Sequence, residues 1–252
     1  DRGLKFGDGI FETILIKQNK PVLFDEHMER LEKSSKLLNI DIKINKFILK
    51  GLVDEGIKKL SLKNDQLGSV RLNFSRGTNK GRSIRTNNIL KTNSLENIWL
   101  EFYQIKASFS PISVYISQTE KRNEFSLISK CKTFSYNQAI QVLSEAKEKC
   151  FDDCILLNTS GELCCGSSFN LLINRNQQWI TPRKQSGCLE GIMIGKALKL
   201  KIVKEELIYP EFQDDDIIFA INSLSCRQIN QINNLNLKAK FDPIYFWDLL
   251  YN

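Results

Sequence analysis

Two places in the sequence combine residue types that could bind an anion such as phosphate. Arg30 follows His27 by three residues, so the two side chains share one face of a predicted helix. A guanidinium can meet the oxygens of a phosphate with two parallel N–H bonds. Gly191 precedes a predicted helix that runs through Leu198, and free N–H groups at a helix start also attract phosphate. For Arg30, an ordinary exposed helix face is the alternative.

Lys132 is a candidate because of its surroundings. The chain has 36 Lys plus Arg residues, so a lysine taken at random is a solvated surface residue. Lys132, however, precedes Tyr136 by four residues and leads into an amphipathic helix predicted over residues 136–149. An apolar strand, a Ser-Gly turn and a run of small residues ending at Asn170 follow.

Residues 1–17 read DRGLKFGDGIFETILIK, which predicts a loop leading into a strand. With Lys132 and the His-x-x-Arg-Leu run ending at Leu31, this opening resembles the fold-type-IV enzymes that depend on pyridoxal 5'-phosphate (PLP). That family includes D-amino-acid aminotransferases, branched-chain aminotransferases and 4-amino-4-deoxychorismate lyases. The resemblance extends over essentially the whole chain and is strongest in residues 1–31 and 132–136.

The resemblance implies an α/β (α+β) fold of two domains with PLP between them. Residues 1–104 would form a small N-terminal α/β domain that lacks its first strand, and residues 112–252 a large PLP-binding domain. The linker over residues 105–111 is also indicated by polar and small residues before Pro111. By analogy with the family we expect a homodimer.

The resemblance also implies the roles of individual residues. Lys132 would hold PLP as a Schiff base and act as the catalytic acid and base, with the Tyr136 hydroxyl near ring atom O3′. Arg30 would clamp the phosphate. His27 and Arg76 would bind the substrate. The expected cofactor-binding set is Arg30, Lys132, Tyr136, Cys165, Gly191, Ile192, Met193, Asn222 and Ser223.

Cys165 departs from the family pattern. A carboxylate normally pairs with the ring nitrogen of PLP, and its position, counted back from Asn170, is occupied here by Cys165. Glu162 lies three residues too early and would require a slipped register.

Composition excludes several other classes of protein. The net charge of +7 could indicate nucleic-acid binding, but the basic residues are scattered among acidic ones without an Arg-rich or aromatic stripe. We therefore expect an anionic small-molecule amine as substrate, and no nucleic-acid partner. No apolar run is long enough for a membrane helix, and no secretory signal is visible.

The seven cysteines favour the cytoplasm, because an odd count without a secretory signal indicates reduced thiols. Their spacing shows no CxxC pair, and the one histidine is far away in sequence, so we expect no metal. Among local elements, Asp25 is expected to cap a helix that begins at Glu26, and the aromatic tail over residues 241–251 is a candidate helix.

Three interpretations of the function remain. A PLP-dependent lyase that converts 4-amino-4-deoxychorismate to 4-aminobenzoate and pyruvate in folate biosynthesis is favoured. Its support is the Gly-Ile-Met run ending at Met193, the Asn-Ser-Leu run starting at Asn222, and the lack of a His after Arg76-Gly77. A class IV aminotransferase acting on D- or branched-chain amino acids is the alternative. A PLP-binding relative with little activity is the third, because of Cys165.

Overall fold

The computed structural model describes residues 1–42, 45–63, 65–78, 83–86 and 97–251. Residue contacts divide the chain into two compact units. Unit 1 consists of Asp1–Lys106 together with Cys131–Tyr136, and unit 2 of Ala107–Lys130 together with Asn137–Asn252. The expected linker, residues 105–111, spans the first boundary, whereas the segment that carries Lys132 belongs to unit 1.

Unit 1 is built on an antiparallel sheet packed against helices. Its strands are β1 (Gly9–Lys17), β2 (Lys20–Pro21), β3 (Leu67–Ser75) and β4 (Ile98–Ile105), and its helices are α1 (Arg2–Phe6), α2 (Phe24–Leu38) and α3 (Lys46–Leu60). Over the described residues the sheet has four strands in the order β2-β1-β3-β4. Ile14 and Val70 from the sheet and Leu31 and Val53 from the helices share one buried core.

Two helix starts in unit 1 differ from expectation. α1 forms where a loop was expected, because the Asp1 carboxylate accepts a hydrogen bond from the Leu4 N–H (3.3 Å) and Gly7, at φ 66°, ends the helix. α2 begins at Phe24, since Leu23 turns the chain in the left-handed region and no side chain caps the helix. The predicted Asp25 cap was therefore wrong.

Unit 2 is built on a larger mixed sheet. Its strands are β5 (Ile112–Ile116), β6 (Asp153–Leu157), β7 (Leu163–Gly166), β8 (Asn170–Arg175), β9 (Gln178–Pro182), β10 (Val203–Glu206), β11 (Ile217–Ile221), β12 (Cys226–Ile232) and β13 (Leu235–Asn236). Among the described residues nine strands take part, in the order β10-β9-β8-β11-β12-β5-β6-β7, with β13 on β12. The β9–β10, β5–β12 and β5–β6 pairs are parallel.

The described part of unit 2 also contains three helices, which lie between or after the strands in sequence: α4 (Asn137–Glu148), α5 (Ile192–Lys199) and α6 (Pro243–Tyr251). One core contains aliphatic residues of the central strands, such as Leu171 and Ile218. A second joins Val142 of α4 to several cysteines. The mixed α/β architecture and the C-terminal helix agree with the predictions from sequence.

Over the residues that the structure describes, no helix combines the length and the apolar character that crossing a bilayer requires.

Candidate functional site

The Lys132 segment lies beside β1 in unit 1. The Phe11 N–H donates to the Lys132 carbonyl (3.0 Å) and the Phe134 N–H to the Gly9 carbonyl (3.0 Å). Thr133 forms the bridge to Ile10 between these two bonds. Because the backbone is bonded at Lys132 and again at Phe134, the segment is fixed against β1, and with it the position of Lys132.

The Lys132 amine is surrounded by aromatic groups. Its Nζ donates to the Tyr136 hydroxyl (3.2 Å) and lies 4.4 Å from the centre of the Phe11 ring. The side chain is half-buried. A primary amine next to a phenol can condense with an aldehyde and pass protons locally, which is the chemistry expected of these two residues.

Arg30 and His27 both bind Glu12, which projects from β1. The Arg30 Nε donates to Glu12 Oε1 (2.8 Å) and its Nη2 to Oε2 (2.6 Å), while His27 Nδ1 lies 2.7 Å from Oε2. Glu12 and His27 are buried and Arg30 nearly so. The sequence pattern singled out the arginine and the histidine, and the structure adds the carboxylate that joins them.

Burial affects the charges in this cluster. Burial alone would raise the pKa of Glu12, but the Arg30 charge and the hydrogen bonds from Arg30 and His27 lower it to about 2. Burial lowers the pKa of His27 from its ordinary value, although its hydrogen bond to Glu12 opposes the shift. At neutral pH the cluster is therefore a carboxylate, a guanidinium and a neutral imidazole that donates from Nδ1.

Arg71 lies on the same aromatic ring as Lys132. Its guanidinium carbon is 3.7 Å from the centre of the Phe11 ring, and its Nε donates to Asn73 Oδ1 (2.7 Å). The side chain remains 39% exposed, so it can still meet a ligand. Two cations on one ring create a positive surface next to the Lys132 amine. Arg71 was not among the candidates from sequence.

Arg76 is held by other groups of unit 1. Its Nε donates to both carboxylate oxygens of Asp8 (2.9 Å each), and its terminal nitrogens donate to the carbonyls of Leu38 (2.8 Å) and Asn39. A substrate carboxylate would have to compete with Asp8 for this guanidinium. The expected substrate role of Arg76 stays a prediction.

The start of α5 in unit 2 has the features of an anion site. Gly191 is its N-cap residue and makes no side-chain cap bond, and Ile192 and Met193 form the first turn. The Asn170 amide packs against Gly191 and donates to the Leu189 carbonyl (2.9 Å). A Cβ atom at residue 191 would lie 2.0 Å from Asn170 Oδ1, so only glycine fits there without a shift.

Asn222 and Ser223 follow β11 and form a tight turn. Asn222 Oδ1 accepts from the N–H groups of Leu224 (2.8 Å) and Ser225 (3.0 Å), and its amide donates to the Ser168 carbonyl (3.2 Å). The Ser223 carbonyl accepts from the Tyr251 hydroxyl (3.0 Å). The Asn222 side chain thus shapes the loop, and contact of either residue with a phosphate stays a prediction.

Cys165 lies on β7 opposite Leu156 of β6, and it is buried. Its Sγ is 3.7 Å from that of Cys164. The hydrogen bond from the Cys164 thiol and the nearby Arg122 guanidinium lower the pKa of Cys165 in spite of its burial. The same contact, the neighbouring Cys188 and burial raise the pKa of Cys164. The two shifts favour the thiolate form of Cys165 over that of Cys164.

Glu162 does not occupy the position of Cys165. It accepts from Arg183 Nη2 (2.7 Å), Asn158 Nδ2 (3.2 Å) and the Ser186 hydroxyl. The pairing of β6 with β7 changes register between Leu156 and Leu157, and Glu162 lies on one side of that shift while Cys165 lies on the other. In the described strands it is Cys165, and not Glu162, that is paired with Leu156 of β6.

Within the described ranges no three His, Cys, Asp or Glu side chains are grouped so that they could hold a metal ion.

The residues present fit a phosphorylated aldehyde cofactor. Unit 1 contains the Lys132 amine and the Arg30 guanidinium. Unit 2, taken by itself, contains the start of α5, whose first N–H groups are donors suited to a phosphate. In the described part of the chain, Nε of Arg122 is buried without a hydrogen-bond partner. A buried donor of this kind indicates that a polar group of a ligand could bind near Cys165.

Comparisons with known proteins agree with this geometry. The sequence profile of the family described as amino-transferase class IV matches residues 9–232. One relative is a probable branched-chain-amino-acid aminotransferase from Synechocystis. It is 31% identical over 170 residues, and the match covers 67% of this chain and 53% of the relative. The aminodeoxychorismate lyase of Bacillus subtilis is 26% identical over 198 residues, 76% of this chain and 64% of the relative. The matches thus span less than two thirds of these relatives' own length.

A solved structure shares the fold. A Legionella pneumophila protein for which 4-amino-4-deoxychorismate lyase activity has been suggested superposes with a TM-score of 0.81 at 23% identity. The match covers 98% of this chain and 92% of the other.

Proposed function

Because the chain belongs to the class IV aminotransferase family, whose cofactor is PLP, we propose that it is a lyase acting on 4-amino-4-deoxychorismate. The products are 4-aminobenzoate and pyruvate, so the enzyme would serve folate biosynthesis. The reaction removes a proton from the ring carbon that bears the amine, releases the enolpyruvyl group and leaves an aromatic ring. When bound, PLP supplies the electron sink for this proton removal.

The other steps, which are binding of cofactor and substrate and transfer of protons, are assigned to side chains and backbone amides of this chain. Lys132 would hold the cofactor and move protons at Nζ, and the Tyr136 hydroxyl accepts a hydrogen bond from that nitrogen (3.2 Å). Arg30 and the Gly191–Met193 amides would bind the phosphate, with Asn222 and Ser223 completing the cup. Arg71 would meet a substrate carboxylate. These roles fit an anionic amine as substrate.

The observation that carries the lyase assignment is Cys165 on β7. Glu162, the nearest acidic residue in sequence, is bound by Arg183, Asn158 and Ser186, which supports a cofactor site that has Cys165 in place of a carboxylate. A thiolate is a weaker partner for a protonated ring nitrogen than a carboxylate, which weakens electron withdrawal. Formation of an aromatic product offsets that loss in the lyase reaction, whereas transamination has no such driving force.

Two parallel incubations test the proposal. The protein with PLP is incubated with 4-amino-4-deoxychorismate, and separately with an amino acid and a 2-oxo acid, while 4-aminobenzoate, pyruvate and the new amino acid are measured. We expect 4-aminobenzoate and pyruvate in equal amounts and slow amino transfer. Rapid amino transfer without 4-aminobenzoate would assign the chain to the aminotransferases, and PLP binding without either reaction would identify an inactive relative.

An aminotransferase acting on branched-chain or D-amino acids is the second candidate. The 31% identity to the Synechocystis protein favours it. His27, one of the two expected substrate-binding residues, is buried against Glu12, and a neutral imidazole there gives no added charge for a substrate carboxylate.

The setting of the enzyme is also a proposal. Free cysteines at all seven positions are consistent with the reducing cytoplasm. A homodimer is proposed by analogy with the family, and size measurement in solution tests it.

A further inference from the structure

Glu12 accepts more hydrogen bonds than a buried strand residue needs. Its two oxygens take the Nε–Nη2 edge of Arg30 at 2.8 and 2.6 Å, and Oε2 also takes Nδ1 of His27 at 2.7 Å. Glu12 is 1% exposed. Two side chains of α2, those of His27 and Arg30, are therefore tied through three nitrogen atoms to one carboxylate of β1.

The bidentate pair fixes the plane of the guanidinium. Two parallel N–H bonds to a carboxylate leave no rotation about the terminal bond of the arginine side chain. They also use the Nε–Nη2 edge, so the direction of the third nitrogen, Nη1, is determined by Glu12.

Charge alone does not explain the arrangement. The negative Glu12 offsets the positive Arg30, and His27 is neutral, so the cluster adds little net charge toward a phosphate. Arg30 can contribute through directed hydrogen bonds, whose strength depends on alignment.

We infer that Glu12 is a positioning residue that orients Arg30 for the cofactor phosphate. The inference rests on the proposed phosphate role of Arg30 and adds the residue that makes the role possible. His27 completes the arrangement, since its Nδ1–H shares Oε2 with Arg30 and limits the movement of the carboxylate.

The chain offers a matched control for an experiment. Asp216 is likewise 1% exposed and binds the Nε–Nη2 edge of Arg175 at 2.9 and 2.7 Å, but it lies at the start of β11 with no proposed role toward cofactor. Glu12→Asp and Asp216→Glu each shift a buried carboxylate by one methylene without a change in charge. Any general loss of stability should appear in both variants.

The measurement compares PLP with pyridoxal, which has the same ring and aldehyde but no phosphate. Cofactor is removed from each protein, and the dissociation constants of PLP and pyridoxal are determined from the absorbance of the bound form. We expect Glu12→Asp to weaken PLP binding about tenfold or more and to change pyridoxal binding less than about twofold. Asp216→Glu should leave the ratio of the two constants as in the original protein.

An unchanged ratio in Glu12→Asp, or tighter PLP binding, would overturn the inference. A parallel loss of PLP and pyridoxal binding would also overturn it, because a merely structural residue has that effect. The outcome is separable from the lyase proposal. If the original protein binds PLP but forms no 4-aminobenzoate, the lyase assignment fails while the ratio still tests Glu12.

Discussion

At the scale of single residues, the position of Lys132 depends on the main chain. Backbone bonds from Phe11 to Lys132 and from Phe134 to Gly9 hold the segment against β1, while the Lys132 side chain reaches Tyr136 and the Phe11 ring. Lys130, two residues earlier, belongs to unit 2 and is exposed. The geometry thus distinguishes two lysines that composition treats alike.

This distinction gives the first prediction. Borohydride reduction of the protein with PLP, followed by peptide mapping, should find the pyridoxyl group on Lys132. Lys132→Ala should abolish the label, and Lys130→Ala should leave it in place. A label on Lys130 would show that the register used for the other site residues is wrong.

Cys165 carries the second prediction. Its thiolate is favoured by Cys164 and Arg122, but an ordinary carboxyl has a lower pKa, about 4.3 against about 8.5 for a thiol, and pairs better with a protonated ring nitrogen. Cys165→Glu should therefore strengthen electron withdrawal and raise amino transfer from alanine more than it raises 4-aminobenzoate formation.

The two rates are measured side by side, with Cys164→Ser as the control that changes the neighbouring thiol. If Cys165→Glu raised 4-aminobenzoate formation more than amino transfer, the prediction would be wrong. Formation of the aromatic product would then not compensate for the cysteine.

Part of the site could be predicted from sequence. Lys132, Arg30 and Gly191 are marked by local patterns that carry their own chemistry. Glu12 and Arg71 were not identified, because both lie in strands whose residue types only indicate a sheet. The role of Glu12 depends on the packing of α2 against β1. That of Arg71 depends on the pairing of β1 with β3, which places Thr13 opposite Arg71. No local spacing contains that information.

At the scale of elements, the start of α5 requires a glycine because a neighbouring side chain leaves no room for a Cβ atom. Gly191 has φ −67°, which any residue can adopt, but Asn170 occupies the place of a side chain. Gly195, in the same helix, has no atom within 4 Å of an added Cβ. The two glycines are therefore opposite cases within one helix.

The third prediction compares them. Gly191→Ala should destabilise the protein by about 1–3 kcal/mol through crowding and weaken PLP retention, because the first turn must move away from Asn170. Gly195→Ala should stabilise it by up to about 1 kcal/mol, since alanine favours a helix. Thermal unfolding with and without PLP measures both effects. Equal behaviour of the two variants would contradict the packing argument.

Element boundaries show where sequence signals end. Periodicity predicted α4 well, because its apolar face extends over several turns. α1 has five residues, too few for a periodic signal, and its cap depends on Asp1. α2 starts earlier than a capping residue would indicate, because packing of buried Phe24 and Met28 decides its first turn.

At the scale of the whole molecule, two buried carboxylates link stability to pH. Burial would raise the pKa of Glu124, but hydrogen bonds from Thr159 and Ser160 lower it to about 2. Glu12 likewise has a pKa of about 2, against an ordinary value of 4.5 for both groups. A depressed pKa contributes stability above the unfolded value, and this is lost as pH falls through the folded value.

The fourth prediction follows from the lowered pKa values of these two carboxyl groups. The melting temperature should fall steeply between about pH 4.5 and pH 2, where the unfolded chain binds protons that the folded chain does not. Glu124→Gln should reduce the slope in this window, and Glu120→Gln serves as a control at a nearby residue. Melting curves recorded by circular dichroism at each pH provide the test. An identical slope for Glu124→Gln and the original protein would refute it.

The placement of Cys131–Tyr136 in unit 1 has a consequence for protein synthesis. The polypeptide leaves unit 1 after Lys106, returns for six residues, and leaves again before Asn137. A nascent chain that has passed Lys106 has all of β1 to β4 but lacks the segment that bonds to Phe11 and Gly9. The edge of β1 therefore stays open on the ribosome until residue 136 has left the exit tunnel, and the nucleophilic amine arrives with the last stretch that closes it.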